Sequence, residues 1–314
     1  MNCAFVFPGQ GSQAIGMGKE LAEVFVEARE VFGEVDDALK QNLTKLMFEG
    51  HETDLTLTEN AQPALMAVSL AVMRVLERQG KITIREKARY VAGHSLGEYS
   101  ALAAAGSLSL SDAARLLKTR GQAMQKAVPV GEGAMAALLG LEIDQAQAVA
   151  AEASNPEEIC AAANDNAPGQ VVISGHAAAI ERAIEIAKTK GAKRAIMLAV
   201  SAPFHCALMK PAADVMAEAL SNVQVLAPVV PVVANVTART TIDPADIRRL
   251  LVEQVTGMVR WRESVLFMAQ SGVDTLIEIG AGKVLTGLAK RIHGDLVGIS
   301  IQGPKDVEEF LKRV

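Results

Sequence analysis

Tyr90-Val91-Ala92-Gly93-His94-Ser95-Leu96-Gly97-Glu98-Tyr99-Ser100-Ala101-Leu102-Ala103-Ala104-Ala105 reads as a short apolar strand, a turn of small residues and a helix. The strand covers 90–93 and the small-residue helix 99–105. Glycines on either side of Ser95 let the chain turn sharply there. The hydroxyl then projects from the carboxyl edge of a sheet, at the positive N-terminal end of the next helix. A strand feeding directly into a helix predicts a mostly parallel sheet covered on both faces. In that setting Gly-x-Ser-x-Gly is a nucleophile elbow, and the backbone N–H of Leu96 is free to face an oxyanion. The bare pattern also fits a tight strand-to-helix turn with no chemistry.

Outward from the elbow the alternation continues. Residues 3–7 read as a buried strand, followed by the glycine-rich loop Pro8-Gly9-Gln10-Gly11-Ser12-Gln13. Helical patterns occupy 16–40 and 61–79, and another helix starts after Ser111-Asp112. The middle of the chain changes character: strand 134–141, helix 144–153, strand 159–164, turn 166–169, strand 170–174, helix 177–190 and strand 193–200. That β-α-β-β-α-β order is the ferredoxin-like unit. The expected architecture is therefore α/β: a hydrolase-like parallel-sheet domain from residues 1–127 and 200–314, with an inserted ferredoxin-like α+β subdomain at 128–199. In the last third, a helix to residue 220, a strand near 229–235, helices around 245–256 and 261–271, a strand at 275–279 and a short C-terminal helix are expected.

Composition bounds what such a fold does. The chain has 314 residues, half of them apolar, enough for a substantial core in one elaborated domain or two. Lys and Arg total 31 against 36 Asp and Glu, and a net charge of −5 argues against a general nucleic-acid or anionic-membrane binder. Aromatic residues make up only 4%, too few for a stacking platform. Cys3, Cys160 and Cys206 lie far apart with no C-x-x-C spacing, so neither a disulfide framework nor a zinc site is expected. The first residues lack a basic leader and read as a strand, not a signal peptide. No stretch approaches the roughly 18 apolar residues of a membrane span. The expected setting is reducing and cytoplasmic.

A serine hydroxyl needs a base. His51, His176 and His293 read as solvated, and His94 leaves the elbow in another direction from Ser95, as a support or a substrate contact. His205, in Ser201-Ala202-Pro203-Phe204-His205-Cys206, follows an apolar strand and precedes a helix, where a doubly wound sheet places binding groups. It reads as the base or as a structural loop histidine. The acid that usually backs the histidine is missing: Asp165 is the one strand-end carboxylate to consider, and it lies in the insert. An uncharged acceptor such as a backbone carbonyl is the alternative. Arg120 continues the apolar stripe Ala113, Leu117, Met124, where the pattern asks for an aliphatic side chain. A buried guanidinium needs an anion, either an internal Asp or Glu or a substrate carboxylate gripped in bidentate fashion.

These residues carry a resemblance. Phe7-Pro8-Gly9-Gln10-Gly11-Ser12-Gln13, Gly93-His94-Ser95-Leu96-Gly97-Glu98, Arg120-Gly121-Gln122-Ala123-Met124-Gln125 and Asn164 to Gly175 appear in order. Ser201 to Cys206, Gln254 to Trp261 and Glu278-Ile279-Gly280 complete the set. Over nearly its whole length the chain resembles the malonyl-CoA:acyl carrier protein transacylases of fatty-acid synthesis. The resemblance implies Ser95 as acyl nucleophile, His205 as its base and Gln254 as the residue orienting His205 through its backbone carbonyl. It implies an oxyanion hole from the N–H groups of Gln10 and Leu96, and Arg120 paired with the malonyl carboxylate. His94, Met124, Phe204 and Asn164 would contact substrate. Phe204 differs from the serine often found there in bacterial members and resembles the bulky residue of malonyl-selective acyltransferase domains of polyketide synthases.

The reaction this resemblance implies is a two-step exchange between malonyl-CoA and holo-acyl carrier protein. CoA thioester and phosphopantetheine are substrates and no cofactor is called for. A monomer without nucleic-acid or membrane partners is expected. Carrier proteins are acidic, so Lys188, Lys190, Lys193 and Arg194 are candidates for docking, or simply a solvated helix end. Three other readings share some of these features. A stand-alone polyketide synthase acyltransferase shares all of them. A serine thioesterase or esterase shares the elbow but not the need for Arg120, and a carrier-binding scaffold needs neither Ser95 nor His205.

Overall fold

The computed structural model describes residues 2–313. Its larger sheet is built from β1 (Cys3–Phe7), β2 (Ala88–Gly93), β7 (Val232–Ala234), β8 (Arg239–Thr241), β9 (Thr275–Ile279) and β10 (Val297–Ile301), in the order β10-β9-β1-β2-β7-β8. All pairings are parallel except that of the edge strand β8, which returns antiparallel to β7. Period-two alternation in β1 shows why both faces are covered. Cys3, Phe5 and Phe7 enter one apolar cluster, with Leu65 and Val68 of the helix Thr58–Gly80 and Leu117 of the helix Leu110–Ala127. Ala4 and Val6 enter the other, with Trp261, Val265 and Leu285.

The smaller sheet comprises β3 (Gly133–Leu139), β4 (Cys160–Ala167), β5 (Gln170–His176) and β6 (Arg194–Met197), antiparallel throughout, in the order β4-β5-β3-β6. The helices Ile143–Ala153 and Ala177–Thr189 cover one face around Leu138, Val149, Ile173 and Ile180. The other face, with Met135, Ala163 and Val172, packs on Leu198, Val200 and Phe204 of the chain returning to the large sheet.

Several elements differ from the sequence expectation for local reasons. The 16–40 pattern divides at Phe25, whose extended backbone (φ −113°, ψ 125°) separates the helices Lys19–Val24 and Val26–Leu39. β4 runs on to Ala167, because the turn needs only Pro168 and Gly169, with Gly169 at φ 67°. The expected strand 193–200 ends at Met197; the Leu198 N–H still donates to the Met135 carbonyl at 2.9 Å, and Leu198 to Val200 line a cavity. β8 and β10 lay outside the sequence reading.

Candidate active site

The elbow depends on two glycines. A Cβ on Gly93 would lie 1.9 Å from the Gly97 carbonyl, and one on Gly97 would lie 2.3 Å from the Phe7 carbonyl oxygen. No side chain fits at either place, so β2, the turn and β1 close on one another. Ser95 takes φ 54° and His205 φ 59°, a left-handed backbone that costs non-glycine residues of order 1–3 kcal/mol each. Both strained residues meet: Ser95 Oγ and His205 Nε2 are 2.8 Å apart.

On its other side the imidazole faces a carbonyl, with His205 Nδ1 2.8 Å from the Gln254 backbone oxygen. A carbonyl only accepts, so Nδ1 carries the proton and Nε2 presents its lone pair to the Ser95 hydroxyl. Among the described residues no carboxylate stands behind the histidine. Burial, and then the charge of Arg120, push the His205 pKa from the ordinary 6.5 down to about 3, leaving a neutral ring.

Arg120 is 1% exposed, on the stripe read from sequence. Its Nη1 donates to Gln62 Oε1 at 2.7 Å, and its Nη2 donates to Gln254 Oε1 at 2.8 Å and to Ser95 Oγ at 3.2 Å. Its buried Nε has no partner. Among the described residues it has no direct ion pair, so the internal salt bridge left open by the sequence is not what holds it.

Gln10, His94, Ser95, Leu96, Arg120, Met124, Asn164, Phe204 and His205 all line one cavity of about 370 Å³ between the two sheets. Gln254 stands behind it, fully buried. Neither the Gln10 nor the Leu96 backbone N–H is engaged in a hydrogen bond among the described residues. His94 Nε2 donates to Asn166 Oδ1 at 2.8 Å, and burial lowers its pKa. The Gln62 amide approaches Met124 Sδ at 3.7 Å. Asp165 is elsewhere engaged, accepting from Arg262 Nε at 2.9 and 3.1 Å.

Three site residues went unread in the sequence. Gln62 holds Arg120 through its side-chain carbonyl. Asn235 Oδ1 accepts from the Ser95 N–H at 2.8 Å while its Nδ2 donates to the Gly93 carbonyl at 2.7 Å. Glu98 Oε2 accepts from Gln254 Nε2 at 2.8 Å and from the Asn235 N–H at 3.1 Å. Burial pushes the Glu98 carboxyl up to about 7, against the opposing pull of Gln254, Asn235 and Arg120. The one charged residue in the helix Gly97–Ala104 was the available signal for Glu98; Asn235 and Gln62 carried none.

Other expectations fared differently. His176 is no solvated histidine, since its Nδ1 accepts from the Ile159 N–H at 2.9 Å. Lys188 is paired with Glu185 and Lys190 with Glu152, which leaves Lys193 and Arg194 of the basic group without ion pairs among the described residues. Among the described residues no helix is long and apolar enough to cross a membrane, and no group of three or more side chains is placed to hold a metal ion.

Residues 4–295 match the family model for the acyl transferase domain. The chain is 48% identical over 305 residues to a malonyl CoA-acyl carrier protein transacylase of Bacillus subtilis, covering 97% of this chain and 95% of that protein. Among solved structures it is similar to an acyl-carrier-protein-S-malonyltransferase from Bartonella henselae, at 56% identity and a TM-score of 0.97, over 100% of this chain and 99% of the other. It is also similar, at 43% identity and a TM-score of 0.96, to a malonyl-transacylase in complex with a type II PKS acyl-carrier protein, with 100% of both chains covered.

Proposed function

This chain belongs to the acyl transferase domain family, and on that premise we propose that it moves a malonyl group from malonyl-CoA to the phosphopantetheine thiol of holo-acyl carrier protein through a malonyl ester on Ser95. The observation that carries the reading is a fully buried guanidinium, free of any direct carboxylate partner, within 3.2 Å of the nucleophile's oxygen. An acyl group ending in a carboxylate suits that arrangement; one ending in a methyl does not.

Arg120 holds the malonyl carboxylate and so fixes the thioester carbonyl over Ser95. Ser95 Oγ bonds to the carbonyl carbon as its proton passes to His205 Nε2. The oxyanion is received by the N–H groups of Gln10 and Leu96. On collapse the C–S bond breaks and the CoA sulfur takes the proton from His205. An imidazolium beside Arg120 in a buried site is costly, which favours rapid return of that proton to the departing sulfur. The phosphopantetheine thiol then attacks the ester, giving its proton to His205, and Ser95 leaves with it. The chain supplies side chains, the two backbone N–H groups and the Gln254 carbonyl that orients His205; malonyl-CoA and the phosphopantetheine thiol are the substrates.

Brief mixing with malonyl-CoA, followed by intact-mass measurement and peptide mapping, tests this. A malonyl-sized gain on the Ser95 peptide, discharged by holo-carrier protein and slowly by water, is the expected result. Steady release of CoA with no carrier would mean a thioesterase. Because one similar protein is bound to a polyketide carrier, carriers of both fatty-acid and polyketide type belong in the discharge step.

A further inference from the structure

Arg120 is a buried cation with no carboxylate bonded to it, and Glu98 is a buried carboxyl, 2% exposed, with no cation bonded to it among the described residues. One amide stands between them. Arg120 Nη2 donates to Gln254 Oε1, and Gln254 Nε2 donates to Glu98 Oε2, both at 2.8 Å. A guanidinium only donates and a carboxylate only accepts, so a single orientation of the amide satisfies both ends. The same Glu98 oxygen takes the Asn235 N–H, and Asn235 in turn holds the Ser95 N–H. The backbone carbonyl of Gln254 holds His205.

We propose that Glu98 is a positioning residue for acyl transfer, a counter-ion to Arg120 held at one remove by the Gln254 amide. A direct Glu–Arg pair would occupy the guanidinium fork and shut out a substrate carboxylate. No counter-ion at all would leave an isolated charge in a dry interior. Placing one amide between the two keeps Arg120 charged and fixed while its unpartnered Nε and its long bond to Ser95 remain available to a ligand. The proposal rests on the reading of Ser95 as nucleophile and Arg120 as carboxylate site.

The test, run at about pH 8.5 so that the Glu98 carboxyl, pushed up to about 7 by burial, is ionised, compares Glu98→Leu, Glu98→Gln and the wild type for the rate of Ser95 acylation by malonyl-CoA and by acetyl-CoA, with melting temperatures alongside. Glu98→Leu removes the charged acceptor and leaves Gln254 Nε2 only the Ser95 carbonyl, at 3.0 Å, and Asn235 Oδ1, at 3.2 Å; the malonyl rate then falls roughly 10- to 100-fold while the acetyl rate falls much less. Glu98→Gln keeps an acceptor oxygen for Gln254 and Asn235 but loses the charge, and recovers part of the malonyl preference. Glu98→Leu added to Arg120→Ala shifts the malonyl-to-acetyl ratio no further than Arg120→Ala alone. A ratio unchanged in Glu98→Leu, whatever its melting temperature, overturns the proposal and leaves Glu98 a packing group. Where Glu98→Leu does not fold, an unchanged ratio in Glu98→Gln has the same force. Absence of any malonyl-Ser95 in the wild type would instead sink the parent reading.

Discussion

At the scale of single residues, the site is governed by how few charges it encloses. His205 has burial and the neighbouring guanidinium both working against its protonation, and only hydrogen bonds to backbone groups working for it. Its folded-state pKa is about 3 against an ordinary 6.5, so between those values the unfolded chain binds a proton that the folded chain refuses. Stability from this residue is therefore complete above pH 6.5 and is lost as pH falls toward 3. His205→Asn, whose side chain tolerates the same left-handed backbone, has no such dependence. Lowering the pH from about 7 to about 4.5 should drop the melting temperature of the wild type relative to His205→Asn; parallel curves would show the imidazole is not held neutral. Arg120 was legible in sequence because a charge interrupting an apolar stripe is conspicuous. Glu98 is likewise the one charge in its helix, yet its neighbours in the elbow drew the reading to Ser95 instead.

Among the elements, the elbow is the most constrained. Gly97 brings the helix Gly97–Ala104 against the Phe7 and Pro8 carbonyls at the end of β1, and backbone cannot give way as a flexible side chain does. Gly97→Ala should cost roughly 1–3 kcal/mol in urea unfolding and slow Ser95 acylation disproportionately, since the strain falls on the turn carrying the nucleophile. Equal stability and an unchanged acylation rate would mean that β1 can retreat. The alternation of strand and helix was readable where a buried strand is a continuous apolar run, as in β1, or nearly so, as in β9, where Thr275 and Glu278 interrupt it. β10 and β8 escaped because edge strands bury only part of their length and show no such run.

On the scale of the whole molecule, the cavity belongs to neither sheet alone. β4 is tied to the segment before Trp261 by Asp165 N–H to the Val259 carbonyl at 3.0 Å and Val259 N–H to the Ala163 carbonyl at 2.8 Å. Asp165, 1% exposed, adds its pair with Arg262. Asn164 and Asn166 on the same strand face the cavity, so loosening this seam should be felt there. Asp165→Ala is expected to lower stability by about 1–3 kcal/mol and to raise the KM for malonyl-CoA more than it lowers kcat. A fall in kcat with KM unchanged would place the effect on Ser95 and His205 rather than on the cavity wall.

By itself the sequence determined the α/β alternation, the elbow and the anomalous arginine, because periodicity and the small volume of glycine are local properties written along the chain. Only the tertiary structure decided what surrounds them. Gln62, Asn235, Glu98 and Gln254 lie on four separate segments and converge through buried hydrogen bonds. Each such bond is fixed by distance and donor sense in space, which no spacing in the chain encodes.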